Sequence, residues 1–258
     1  MNKVLYALGV QILAAALWPG SSVAQQNEKP LAYTYATYMY CDIGPGKQER
    51  MDEIVAAVDQ KVYNEAIEQG VIDGWGWLAH QTGGLWRRLL YFQTESLEGL
   101  WDAQESMAKR FPEVGGRETG AERFEICHAH EDYVWALRLS SSGDARSGTG
   151  FSVYYECDIA RETRADEIME NDFARVYDKY VEQGKLASWS WSSHVIGGKY
   201  RRLHTMTADS RTALLNARSQ IINELFRSGV DTGPEFSEIC GRHTDYMWDI
   251  QLEFRKDQ

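Results

Sequence analysis

Tyr38-Met39-Tyr40-Cys41-Asp42-Ile43, close to the start of the chain, returns as Tyr154-Tyr155-Glu156-Cys157-Asp158-Ile159, and the landmarks after the first copy follow the second in the same order. Val62-Tyr63 recurs as Val176-Tyr177, Trp75-x-Trp77-x-x-His80 as Trp189-x-Trp191-x-x-His194, and Gly83-Gly84 as Gly197-Gly198. Arg87-Arg88-Leu89 recurs as Arg201-Arg202-Leu203. The longest match sets Glu125-Ile126-Cys127-x-x-His130-x-Asp132-Tyr133-x-Trp135 against Glu238-Ile239-Cys240-x-x-His243-x-Asp245-Tyr246-x-Trp248. A period this long is that of a small domain rather than a solenoid repeat, so one domain is present twice. The two copies are read as residues 25–139 and 151–258, joined by a Ser/Gly-rich linker at 140–150.

Residues 1–24 carry a basic start at Lys3, an apolar run from Val4 to Leu17, a Pro-Gly break and the small residues Ser22-Val23-Ala24. This is the pattern of a cleaved secretory signal, too short to span a bilayer. The mature protein is therefore expected in the periplasm or secreted, with no membrane insertion. A formal charge of −11 repels phosphate backbones and argues against nucleic-acid partners. Four cysteines at matched positions in an exported chain read first as disulfides. Pairing Cys41 with Cys127 and Cys157 with Cys240 keeps each copy self-contained. The alternative reads Cys127-x-x-His130 and Cys240-x-x-His243 as metal ligands, but it lacks a second nearby pair.

Within each copy the pattern gives the order βαββαβ. Tyr33 to Ile43 has the Tyr/Thr content of a strand. A helix with Ile54, Val55, Val58, Val62 and Ile67 on one face stops at Gly70, and its counterpart stops at Gly184. Two strand-like runs flank each Gly-Gly turn. A second helix follows, through Leu97, Leu100, Trp101 and Met107 or Leu214, Leu215, Ile221 and Leu225. A Gly-rich loop then leads to a last strand at Tyr133 to Leu139 or Tyr246 to Phe254.

This order is the ferredoxin-like unit, and its tandem repetition resembles the dimeric α/β barrel superfamily. That group includes stress-responsive A/B barrel proteins and antibiotic-biosynthesis-type monooxygenases, with haem-handling proteins as more distant relatives. The resemblance implies an α+β fold in which two ferredoxin-like sheets pack face to face as a barrel within one chain. It also implies that the first and last strands of each copy are antiparallel neighbours, which brings Cys41 beside Cys127.

A two-residue turn at Gly83-Gly84 fixes the hairpin register. His80 then faces Arg87, Leu78 faces Leu89 and Gly76 faces Tyr91, while the Trp-bearing side covers the helices. In the second copy His194 faces Arg201, with Ser190 and Ser192 beside them. Given the barrel, these His/Arg faces look into the lumen, where a concave space with a few polar groups suits a small molecule. His194, Arg201 and Glu156 are the candidate catalytic set, and His80, Arg87, Tyr40, Ser190 and Ser192 the candidate ligand contacts. The expected function is small-molecule binding, with cofactor-independent acid/base or oxygenation chemistry on an apolar or aromatic substrate. The same residues also read as braces in a non-catalytic binding or stress-response module, and a third reading has His80 or His194 hold a haem. No resident metal or cofactor is expected otherwise, and the protein is expected as a monomer or homodimer. His130 and His243 read as caps beside the disulfides.

Overall fold

The computed structural model describes residues 29–141, 148–228 and 231–256. The expected leader at residues 1–24 and residues 142–147 of the expected linker lie outside these. The first copy runs β1 (Ala32–Cys41), α1 (Lys47–Ile54), a π-helical turn (Val55–Asp59), α2 (Gln60–Glu68), β2 (Gly74–Gly83), β3 (Arg88–Thr94), α3 (Leu97–Ile126) and β4 (Cys127–Ser140). The second repeats it with β5 (Thr149–Glu156), α4 (Glu162–Ile168), a π-helical turn (Met169–Phe173), α5 (Ala174–Glu182), β6 (Ser188–Ile196), β7 (Arg202–Ala208), α6 (Arg211–Asn223), α7 (Gly233–Cys240) and β8 (Arg242–Arg255). The strands close into one barrel in the order β1-β3-β2-β8-β5-β7-β6-β4.

All eight pairings are antiparallel. Two of them, β2–β8 and β4–β6, join the copies, so neither sheet keeps an open edge. Gly83 at the tip of the first hairpin lies opposite Tyr246 near the start of β8. Both hairpin tips therefore sit at the same end of the barrel, and the two copies are related by an axis running along it.

The outward strand faces pack against the helices, as the tryptophan spacing predicts. Trp75 and Trp77 lie in the core of the first copy, and Trp189 and Trp191 in that of the second. Each helical arm is fastened by the same three-residue tie. Asp52 accepts from the Trp77 indole at 2.7 Å and from Arg88 at 2.8 and 2.7 Å, while Asp166 accepts from Trp191 at 2.8 Å and from Arg202 at 2.7 and 2.7 Å. Such bidentate charge-assisted bonds satisfy a guanidinium that is itself buried. Matched serines cap the second helices: Ser96 accepts from the Gly99 amide and Ser210 from the Ala213 amide.

Disulfides join Cys41 to Cys127 and Cys157 to Cys240, with Cα–Cα distances of 3.9 and 4.2 Å. Each links the first strand of a copy to the start of, or the residues just before, its last strand, and the pair fits an oxidising compartment. Two details differ from the sequence pattern. The Gly-rich loop of the first copy is a break inside α3 at Gly116, where φ is 69°. The last strands also begin earlier than expected, at Cys127 and Arg242. Their first residues pair with β1 and β5, but they are polar on both faces and carry no alternation to read.

The copies diverge sharply at one buried position. In the first, Asp59 on the π-helical turn is fully buried and bonds Arg123 of α3 at 2.6 and 2.8 Å. The matched positions in the second hold Phe173 and Phe236, with ring centroids 5.0 Å apart. Burial raises Asp59 to about 6 against the opposing pull of Arg123. A raised folded value means the native state holds the proton more tightly than the unfolded chain, so this group removes stability as pH rises from about 4 to about 6. Asp59→Ala leaves Arg123 without its partner and is expected to cost about 3 kcal/mol. Asp59→Phe with Arg123→Phe, which copies the second repeat, is expected to restore wild-type stability in urea titrations. A double variant as weak as the single one would contradict this account.

Candidate functional site

The hairpin registers place Gly76 against Tyr91, Leu78 against Leu89, Ser190 against Thr205 and Ser192 against Leu203. The His80 and His194 amides donate to the Arg87 and Arg201 carbonyls, each at 3.0 Å. These alternating residues do face the lumen, yet the hairpin end of the lumen is filled by aromatic rings. Trp86 stacks on Tyr38 at 4.2 Å and on Tyr246 at 4.9 Å, and Tyr133, Tyr154 and Tyr200 close the cluster.

His80 stands edge-on to Tyr246 and Trp248, and His194 edge-on to Tyr133 and Trp135. Arg201 donates at 2.8 Å to His194 Nδ1 and at 2.6 Å to Glu162, so His194 accepts as a neutral ring. Burial first, then the neighbouring Arg, lowers both imidazoles. Glu156 sits outside this group, paired with Lys199 at 2.6 Å and Arg242 at 3.5 Å, and the hydrogen bond from Lys199 lowers its carboxyl. Tyr40 donates to Glu131. Arg201 thus holds His194 in the second copy, whereas in the first the His80 ring nitrogens and Arg87 Nε find no hydrogen-bond partner among the described residues, and Glu156 pairs with Lys199 and Arg242 rather than with His194 or Arg201.

The other half of the lumen is open. A cavity of about 190 Å³ reaches from a floor of Leu78, Leu89, Ser192 and Leu203 to a mouth at Thr34, Gln93, Ser188 and Thr207, with Ser190 in its wall.

A second kind of space lies outside the barrel, between each sheet and its helices. In the first copy it is a cleft of about 500 Å³ with Tyr35, Met39, Tyr63, Leu90, Phe92, Met107 and Phe111 along its walls and an exposed Phe124 at its edge. His130, Asp132 and Arg123 line it as well. His130 Nε2 lies 3.2 Å from Asp132 Oδ2, and Thr37 donates at 2.8 Å to Asp132 Oδ1. The carboxylate is held by Thr37 and lies within ion-pair distance of the imidazole, so it can stabilise that ring when the ring carries a proton.

The matched cleft of the second copy has shrunk to about 230 Å³. Phe236 occupies the place of Arg123, and Arg218 replaces Gln104, reaching Asp245 at 2.8 Å. His243 stands farther from its carboxylate, at 3.6 Å. His204, in place of Leu90, is 1 % exposed, its Nε2 lacks a hydrogen-bond partner, and burial drives it down to about 3. His130 and Asp132 stood in the repeated motif, but only the fold shows that they share a cleft. The sequence signal for Asp59, Arg123 and His204 is disagreement between the copies, since they stand opposite Phe173, Phe236 and Leu90.

No protein-family model and no curated protein matches the chain. Similarity appears among solved structures. A candidate monooxygenase from Lactobacillus acidophilus NCFM superposes with a TM-score of 0.60 at 6% identity, covering 88% of this chain and 97% of that one. A candidate monooxygenase from Fusobacterium nucleatum subsp. nucleatum gives 0.60 at 8%, covering 88% and 95%. The chain has the dimeric α/β barrel fold. An anthrone oxidase-like protein gives 0.54 at 12% identity, covering 88% of this α/β barrel and 94% of its own chain. Identities this low establish the fold and not the chemistry.

Among the described residues of the barrel, no three His, Cys, Asp or Glu side chains gather as a metal site, and no helix is long and apolar enough to cross a membrane. A haem needs an axial donor facing a cavity of its own size. His80 and His194 face packed rings, so neither fits that role.

His204 also sets a pH dependence. Its folded value lies below its unfolded one, so its contribution is lost as pH falls from about 6.5 toward its folded value. His204→Leu, which copies Leu90 of the first repeat, is expected to flatten the loss of stability between pH 7.5 and pH 5 in urea titrations. An unchanged acid limb would contradict the burial of a neutral ring here.

Proposed function

We propose that this is an exported small-molecule-binding protein whose main site is the α3 cleft of the first copy, and that the His130–Asp132 pair exchanges a proton with the bound molecule. The observation that carries this reading is the pairing of a cleft of about 500 Å³ with an imidazole on its wall that lies 3.2 Å from a carboxylate. The volume falls in the usual range for ligand pockets, and the lining is largely aromatic and thioether, with few polar groups. Such a surface suits a flat apolar or aromatic molecule with an acidic hydroxyl or an acidic C–H beside a carbonyl. His130 takes the proton as base, and Asp132 stabilises the resulting imidazolium. Export is supported by the two disulfides and by the leader pattern at residues 1–24.

A non-catalytic binding module is the second reading, favoured by the half-exposed position of His130, which leaves its proton exchange open to water. Binding of 2-naphthol, followed by its fluorescence, separates the readings from each other and from failure of both. Met107→Trp fills the cleft and is expected to weaken binding at least about tenfold. His130→Ala is expected to keep binding within about threefold while abolishing the perturbation of the naphthol's own proton equilibrium. Retained perturbation in His130→Ala favours the module. Unchanged affinity in Met107→Trp removes the cleft as the site.

A further inference from the structure

The open half of the lumen is separate from the α3 cleft, being walled off from it by the sheet. We infer that it is a second binding site, for an uncharged single aromatic ring with hydroxyl groups along one edge. Size sets the first limit: about 190 Å³ is slightly more than the roughly 150 Å³ apolar cavity that accepts benzene. One substituted ring fits.

The two walls differ in chemistry because the copies differ. On the first-copy side Tyr91 lies across Gly76, where an added Cβ would come within 2.5 Å of the ring. With Leu78 and Leu89 this makes an aromatic and aliphatic wall beside the floor, polar only at the Tyr91 hydroxyl, which donates to Glu253, and at Thr34 and Gln93 by the mouth. On the second-copy side Ser190 and Thr205 share a hydrogen bond of 2.6 Å, and Ser188 and Thr207 one of 2.7 Å. Two hydroxyls that share one hydrogen bond keep a second proton and spare lone pairs between them. That wall therefore offers both donors and acceptors to a ligand hydroxyl. Among the described residues Arg255 is the one charged residue lining the cavity and stands at its mouth end, opposite Gly74, while the floor has no charged side chain, so an ion at the floor would lack a partner. A sugar, hydroxylated all round, would bury hydroxyls against the leucines, whereas a dihydroxybenzene turns its polar edge to the serines and its remaining edge to Leu78 and Leu89.

A second observation points to an occupant. In the first copy the Trp135 indole donates to Tyr38 at 3.2 Å. The matched Trp248, which also borders this cavity, is fully buried and its N–H finds no acceptor. Buried polar groups are normally satisfied. A buried, unpaired donor bordering a cavity of ligand size is a group that a ligand hydroxyl would satisfy.

The test uses resorcinol, toluene and benzoate as probes, read by amide and indole shifts in NMR spectra of the wild-type chain. Resorcinol is expected to shift Ser190, Thr205 and the Trp248 indole, and to bind at least about tenfold tighter than toluene. Benzoate is expected to produce no shift at these residues. Ser190→Val with Thr205→Val is expected to erase the preference for resorcinol, while Met107→Trp in the α3 cleft leaves it intact. Equal affinity for toluene and resorcinol, shifts from benzoate at the floor, or loss of resorcinol binding in Met107→Trp would each overturn the inference. The wild-type comparison stands even if the double variant does not fold.

Discussion

Closure of the barrel by the β2–β8 and β4–β6 ladders is the constraint on which the rest of the molecule depends. Each copy alone is a sheet with two open edges and one uncovered face. Joined antiparallel, the sheets lose all their edges and turn the two uncovered faces into a lumen. Because the ladders put both hairpin tips at one end, equivalent residues of the two copies crowd together there. The aromatic landmarks of the repeat therefore converge as a plug around Tyr38 and Tyr154, and the small hydroxyl and glycine positions are left at the other end as a cavity.

Outside the barrel the duplicated chain kept its fastenings and changed what lies between them. The Asp52–Trp77–Arg88 tie and its copy Asp166–Trp191–Arg202 are the same in geometry and burial, because each holds a helical arm to its sheet. The spaces beside these ties have diverged. Asp59 and Arg123 became Phe173 and Phe236, Leu90 became His204, and Gln104 became Arg218. The larger residues of the second copy fill its cleft, while the first copy keeps an open one with His130 beside Asp132. Of the two clefts between a sheet and its helices, the first copy's is the one of ligand size among the described residues.

Much of the fold was legible in the sequence. The Gly-Gly turns set a register that the structure reproduces from Gly76–Tyr91 to Ser192–Leu203, and the tryptophan spacing told the helix side of each sheet from the lumen side. The cysteine pairing followed from the repeat. The course of α3 through Gly116 and the polar starts of β4 and β8 were not legible, since a glycine reads as a loop and a strand without alternation reads as nothing. For the site, the sequence put His80 and His194 at the hairpin end but did not show how full the space before them is, since rings from both copies crowd there. Trp86 and Tyr200 lie in the hairpins, and only the closed barrel brings them over the lumen. His130 and Asp132 were visible as a repeated motif, but their cleft is made by the sheet and α3 together, far apart in sequence.

A crystal structure of the chain soaked with a library of small aromatic fragments is the most direct measurement of where this barrel binds. Fragments are expected beside His130 and Asp132 under α3, with single-ring hydroxylated fragments in the Ser190–Thr205 half of the lumen. Fragments lodged between His80, Arg87, His194 and Arg201 at the hairpin end, with the α3 cleft empty, would contradict the account.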